Sequence, residues 1–449
     1  MYKFILPARY FYKRRITILA VAAIALCVFI VVIVMTVMNG LVTEFKKKNH
    51  KFAGDCVIST DSLVGFAYYE EFLAELEKQD FVHAASPVVK SYGLLTQPGA
   101  AYNIGIEIMG IEPQTFSRAT NFAQTLYYHR DNPEKTFVPD YKPQMPGCVV
   151  GIDMIDNTRS RSGEYYHSPS PPRYELIISC FPLTAKGALA SAGTDLVNTK
   201  TFWFSDDSHS GLVKVDGKMI YIPFDYAQKL CGMTSPKRAS AIHIKFAEDV
   251  AVEQGREKIA HMWHDFTKTG GNQKYANLFA NVKVQSWTEY RRATIAPMEK
   301  EQTMLTMLFL MLGIITVFII FVVFYMIISH KRKDIGILKS VGVTSPAVMQ
   351  IFTAYAILIG LAGAVIGAAA ACGFLVRLNN IEDWVFSRFG WELFNKEVYA
   401  IGYLPNAIEW KVLTVVVFSA ILASLIGAFL PSMYAVRRRP VEILQVDQL

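Results

Sequence analysis

Two small constellations in this 449-residue chain hold residue types that could do chemistry. His261 and His264 stand three apart, and Asp206-Asp207-Ser208-His209 joins carboxylates to an imidazole. Either could donate to a metal, but zinc sites need three or four protein ligands at recognisable spacing, and neither constellation supplies them. Solvated surface side chains are the expectation for both. No G-x-S-x-G elbow and no H-E-x-x-H pair occurs. No G-x-x-x-x-G-K-[ST] loop occurs either, so if ATP drives this chain, another chain binds it. The sequence therefore predicts no catalytic residue, no metal and no directly bound cofactor.

Cysteine adds little. Cys27 and Cys372 lie in apolar runs, while Cys56, Cys148, Cys180 and Cys231 lie between the first two runs. Four cysteines allow three pairings, and nothing in the spacing selects one. Isolated buried thiols are the expectation.

The elements that must position these residues are unusual for a soluble protein. The chain is 52% hydrophobic with a mean hydropathy of +0.26, and four stretches carry no charged residue or histidine: 16–40, 302–329, 345–376 and 412–436. Roughly 20 apolar residues cross a hydrocarbon core, and a central charge costs about 2.5–3.5 kcal/mol on insertion scales. Four membrane helices follow. The first run is too long for a signal peptide, and Met35–Asn39 is no small-residue cleavage site. Lys3, Arg9, Lys13, Arg14 and Arg15 precede the first span, Lys331–Lys333 follow the second and Arg437–Arg439 follow the fourth. With four alternating helices all three clusters share one side, which predicts cytoplasmic termini. Lys46, Lys47, Lys48 and Lys51 fall on the other side, in a long loop where charge governs topology weakly. The net charge of +7 thus reads as membrane orientation rather than nucleic-acid binding.

The expected fold class is a four-helix polytopic α-helical membrane protein with a large mixed α/β periplasmic domain inserted between helices 1 and 2. The map is 1–40, 41–300 (the α/β domain), 301–329, 330–344, 345–376, 377–411 (a short periplasmic loop), 412–436 and 437–449. Within the domain, Phe72, Leu73 and Leu76 share a helical face over 69–76, Glu257–Phe266 is a second amphipathic helix, and Gly270-Gly271-Asn272 a turn. Tyr174–Ser179 and Met219–Ile222 read as strands, and the proline-rich stretch 167–172 as a surface loop.

Between the second and third spans, Ile335, Leu338 and Val341 recur at helical spacing among Lys and Asp, and Gly342 is placed to stop the turn. Such a helix either lies on the membrane surface or docks into a groove on a partner. In the third span Gly360, Gly363 and Gly367 allow close helix approach, within the chain or against a second subunit. No carboxylate or base lies inside a span, against a proton- or ion-coupled carrier.

Ordered motifs then resemble those of one family. Val37-Met38-Asn39-Gly40-Leu41, Pro87–Leu95, Met109–Pro113, Ser210–Leu230, Ser286-Trp287-Thr288-Glu289 with Lys300-Glu301, Lys333–Gly342, Val398–Pro405 and Arg439–Leu444 are similar, in that order, to the lipoprotein-releasing Lol-type (LolC/LolE) permeases of the FtsX/MacB-like ABC superfamily. The resemblance implies a non-catalytic permease of the bacterial inner membrane. It would work with an ABC ATPase dimer that carries ATP and Mg, a second permease (identical or paralogous), a lipoprotein substrate, a periplasmic carrier and membrane lipids, without nucleic acid. It makes the 330–344 segment an ATPase-docking coupling helix, with Lys333, Asp334 and Lys339 as polar contacts, Ile335, Ile337 and Leu338 as groove fillers, and Gly336 and Gly342 in its frame. A lipid pocket is expected between the first span of one subunit and the second of its partner. Val28, Val32, Met35, Met38, Met311 and Phe318 are its candidates, since methionine adapts to variable acyl chains. The family's carrier-binding hook has its counterpart at Phe181–Thr199, which departs from the usual sequence. Two related roles share the architecture: a mechanotransmitting regulator of extracytoplasmic hydrolases and a MacB-like export permease.

Overall fold

The computed structural model describes residues 15–99, 103–155, 165–189, 197–269, 274–330, 337, 339–391 and 403–437. In chain order the main helices are α1 (Arg15–Ala53), α2 (Tyr69–Leu76), α3 (Pro113–Ala119), α4 (Phe224–Leu230), α5 (Val252–Thr269), α6 (Arg292–His330), α7 (Ser345–Val376), α8 (Leu378–Phe389) and α9 (Trp410–Arg437). The strands are β1 (Cys56–Thr60), β2 (Phe66–Ala67), β3 (Val82–Thr96), β4 (Ile104–Ile111), β5 (Gly147–Gly151), β6 (Glu175–Cys180), β7 (Asn198–Ser208), β8 (Met219–Pro223), β9 (Arg238–Ala239), β10 (Ala241–Phe246) and β11 (Val282–Ser286). The chain divides into two compact units. One comprises Met1–Thr43, Met298–Leu393 and Leu404–Leu449; the other comprises Glu44–Pro297 and Phe394–Tyr403.

The first unit holds the four apolar helices α1, α6, α7 and α9, each long and apolar enough to cross a membrane. Their packing relies on missing side chains. A Cβ on Gly360 would lie 2.3 Å from the Ser424 hydroxyl of α9; one on Gly363 would meet Ile24 of α1 at 2.7 Å; one on Gly427 of α9 would meet the Val317 carbonyl of α6 at 2.7 Å. The glycine stripe of the third span is thus used inside the chain, on two sides. Where apolar contact gains nothing over lipid, close backbone approach and hydrogen bonds supply the cohesion. Thr17 and Tyr355 share a buried hydroxyl contact at 2.5 Å, and Ser424 donates to the Ala356 carbonyl at 3.1 Å. The residues expected as a loop after the third span begin with α8, which Gly390 ends in the left-handed conformation.

The second unit is built on a nine-stranded mixed sheet, in the order β11-β1-β10-β3-β4-β8-β5-β7-β6. Alternation sorts its side chains: Cys56 and Ile58 of β1 and Ile242 and Ile244 of β10 face α2 and α5, where Phe72 and Trp263 meet edge to face at 4.9 Å. Val57, Val88 and Met109 face the other way, against Phe116 of α3. The 15-residue β3 outruns β10, and its far end pairs with β6, Gly93 opposite Cys180. Strands β3, β4, β8, β5, β7 and β6 therefore close into a ring around a third core that includes Val150, Ile178, Phe204 and Ile220. Gly93 is required at the fork, since a Cβ there would lie 2.5 Å from the Ser179 carbonyl.

The helix expected over 69–76 forms with those bounds, and the one expected over 257–266 is α5, longer at both ends. The strands expected at 174–179 and 219–222 are β6 and β8, and 167–172 carries no regular structure. The glycine turn at 270–272 lies outside the described residues. One expectation fails: Asp206, Asp207 and Ser208 are not solvated but fully buried at the end of β7. A buried carboxylate needs donors, and Asp206 accepts from the backbone N–H groups of Tyr127, Tyr128 and His129 at 2.8–3.2 Å. Asp207 accepts from the His167 ring at 3.0 Å. Burial, foremost, pushes the Asp207 carboxyl up to about 6. His261 and His264 are exposed, as expected.

Candidate functional site: an apolar groove among the membrane helices

The site begins with a cavity of about 310 Å³ inside the first unit, walled by α1, α6 and α9. Helical spacing places Ile24, Val28 and Val31 on one wall, Leu310, Gly313 and Val317 on the second, and Val416, Ala420 and Ala423 on the third. The two hydroxyls in the lining do not make it polar. Thr316 donates to Leu312 and Ser419 to Val416, at 2.9 and 2.8 Å, so each is satisfied along its own helix. A cavity without free polar donors excludes water and suits hydrocarbon. Gly313 keeps it open, for a Cβ there would meet nothing within 4 Å.

Of the six residues expected around lipid, Val28 lines this groove. Val32 and Met38 are buried and Met35 is half-buried in the first unit. Met311 and Phe318 stand outward on α6, 60% and 66% exposed, with Met307 and Ile314 beside them. The six therefore divide between the packed side of α1 and the open side of α6. The contribution of α9 escaped the sequence reading; its signal was the small-residue run Ser419, Ala420, Ala423, Ser424 and Gly427 at spacings of one to four.

Above the groove, residues of two distant motifs meet. Asn39 donates to Glu409 at 3.0 Å and accepts from Gln302 at 2.6 Å, which ties α1 to α6 and to the start of α9. A Cβ on Gly40 would lie 2.7 Å from Pro405, and Asn379 of α8 clamps the Leu404 backbone with bonds of 3.0 and 3.3 Å.

In the second unit, the end of α1 and the turn before α6 are fixed by polar contacts. Ser286 and Glu289 form a reciprocal capping box on the turn that leads into α6. Trp287 stacks on His50 of α1 at 4.6 Å. Burial would raise the Asp55 carboxyl, but bonds from His50, Phe246 and Lys245 hold it below its ordinary value. His243 is fully buried: Nδ1–H donates to the Ala53 carbonyl at 2.7 Å, and Nε2 has no hydrogen-bond partner among the described residues. Desolvation, helped by the nearby Lys90 and Arg291 charges, pushes this imidazole down to about 3.

Lys333, Asp334, Ile335, Gly336 and Leu338 of the expected coupling helix lie outside the described residues. Ile337 and Val341 are exposed, and Gly342 closes the turn at φ +94°, donating to Lys339 at 3.1 Å. Among the described residues no three His, Cys, Asp or Glu side chains converge as a metal-ligand set.

Four apolar helices with a large α/β unit between the first two define a polytopic membrane protein with an extracytoplasmic domain. Residues 306–440 match the FtsX-like permease C-terminal family. Over 438 residues the chain is 22% identical to the lipoprotein-releasing system transmembrane protein LolC of Neisseria meningitidis serogroup B, covering 96% of this chain and 94% of that one. It is 20% identical to LolC of Xylella fastidiosa (strain 9a5c), over 96% and 94% of the two chains. The solved periplasmic region of MacB from Actinobacillus actinomycetemcomitans aligns at a TM-score of 0.30 and 12% identity, over 56% of this chain and 97% of that region. Over nearly its whole length the chain is thus similar to LolC proteins, and within residues 306–440 to the FtsX-like permeases.

Proposed function

We propose that this permease extracts lipoproteins from the inner membrane and hands them to a periplasmic carrier, driven by ATP hydrolysis on a separate ATPase dimer. The near-complete, collinear similarity to LolC proteins carries this reading. The apolar groove between α1, α6 and α9 supports it from the physical side. A lipid chain of about 15 carbons resists full extraction into water by roughly 12 kcal/mol, so the permease must keep apolar surface beside the chain throughout. The open face of α6, with Met307, Met311 and Phe318, offers such surface next to a second permease, identical or paralogous. The segment 330–344 docks on the ATPase, both termini are cytoplasmic, and the second unit is periplasmic.

Depletion tests the reading: outer-membrane lipoproteins accumulate in the inner membrane when the chain is removed. Unchanged lipoprotein sorting, with a defect in septation or drug export instead, overturns it in favour of a hydrolase regulator or an exporter.

A further inference from the structure

Strands β6 and β7 of the six-strand ring are joined by the segment 181–197, and the chemistry at its base is not explained by transport. Cys180 ends β6, and Cys231 follows α4. Both are buried, at 0% and 2% exposure, and their sulfurs lie 3.7 Å apart. The Ser91 hydroxyl lies 3.3 Å from the Cys180 sulfur.

Further hydrogen bonds at this point tie the same two pieces of chain together. Leu183 donates its N–H to the Cys231 carbonyl at 3.1 Å. Asn198, where β7 begins, donates to the Lys229 and Leu230 carbonyls at 3.2 and 3.0 Å. The fully buried Arg238 donates to the carbonyls of Leu183, Thr184, Gly232 and Val64, between 2.5 and 3.3 Å. Both legs of the connection are thus fastened to residues 229–232.

We propose that Cys180 and Cys231 are a redox pair that closes to a disulfide, covalently fastening the base of the β6–β7 connection to the end of α4. The proposal rests on the periplasmic placement of this unit, since disulfides persist in oxidising compartments. Bond formation brings the sulfurs from 3.7 Å to about 2.05 Å, a movement of under about 2 Å. The Cys180 thiolate attacks one sulfur of a disulfide-bearing oxidant and expels a thiolate. Cys231 then attacks the Cys180 sulfur of the mixed disulfide and expels the second. Two protons pass from the cysteines to the two released sulfurs, and the oxidant leaves as two thiols, reduced by two electrons.

The two thiols are unlike the others in the unit. The hydrogen bond from Cys231 holds the Cys180 thiol down, towards the range where thiolate forms at neutral pH, and pushes Cys231 up. Burial pushes Cys56 up to about 12 and Cys148 higher, with no such partner to offset it. Those two serve as internal controls.

The test uses the full chain in its own membranes. Cells are acid-quenched, the protein is denatured with N-ethylmaleimide, and alkylated cysteines are counted with and without prior reductant. The expected result is four alkylated without reductant and six with it, and one cross-linked peptide pair joining Cys180 to Cys231. Reduced, purified full-length protein is incubated with oxidised glutathione as a second arm, and should lose the same two thiols. Failure to bridge in both arms, or a bridge to Cys56 or Cys148, overturns the proposal. Bridging in the second arm alone leaves the pair standing and overturns the periplasmic placement.

Discussion

A Cβ built on Gly367 would lie 2.4 Å from the carbonyl oxygen of Ala25, so α7 and α1 meet there backbone to backbone. Neither backbone can yield without moving a whole helix. We expect Gly367→Leu to cost at least about 1–3 kcal/mol, the range for overpacking, and to lower the yield of folded protein in detergent. Gly373→Leu, with nothing within 4 Å of its Cβ, is the matched control and should melt near wild type. Equal melting of the two variants would refute this account of the helix contact.

Gly313 separates the groove's role from its stability. A leucine there projects into open space, so the variant should fold and assemble normally. Photocrosslinking of lipoprotein from Val28 or Ala420 should fall several-fold in Gly313→Leu. Undiminished labelling would show that acyl chains bypass the groove.

The Asn39 amide is the knot between three helices. Its removal in Asn39→Ala frees Glu409 and Gln302 at a half-exposed site, a loss of about 1–2 kcal/mol for two hydrogen bonds. Asn39→Asp should be worse, because it sets a second carboxylate at hydrogen-bond distance from Glu409. Thermal midpoints in the order wild type, Ala, Asp are the expected series; an Asp variant as stable as wild type contradicts it.

His243 gives the second unit an acid-side weakness. The imidazole is neutral when folded, with its pKa down at about 3, against an ordinary value of 6.5. Below pH 6.5 the unfolded chain takes up a proton that the folded chain refuses, so stability falls as pH drops from 6.5 towards 3. The slope from this one group approaches roughly 1.4 kcal/mol per pH unit. Protonation would add a cation near the Lys90 and Arg291 charges, on a ring packed perpendicular to Phe116 and Tyr290. His243→Asn retains a donor for the Ala53 carbonyl but cannot titrate. Its thermal midpoint should fall less steeply with acid than that of wild type; parallel curves would remove His243 as the cause.

The four spans were legible because an uncharged run longer than 20 residues has few other uses. Their ends were not. α1 runs on through Lys46, Lys47, Lys48 and Lys51 to Ala53, since helix propensity persists after hydropathy has fallen. The stripe of Gly360, Gly363 and Gly367 announced close packing, but which helix each glycine would meet depends on residues over 60 to 340 positions away. Asp206 and Asp207 were misread for the same reason. Their donors come from residues 127–129 and from His167, so a local window saw only acid and serine. The cysteine pair shows this limit too: 51 residues separate Cys180 from Cys231 in sequence, and only the closed ring brings them together.

That ring also limits how another polypeptide can join the nine-stranded sheet by adding a strand. Since β6 turns back onto β3, the β6 side offers no row of unpaired N–H and C=O groups, and the open border of the described sheet is β11. It is five residues long and carries Lys283, which is paired to Asp61 at 2.6 Å. Short, charged edge strands resist annealing to other chains. A neighbouring protein is therefore steered towards side chains and loops, and the domain carries little risk of edge-to-edge aggregation.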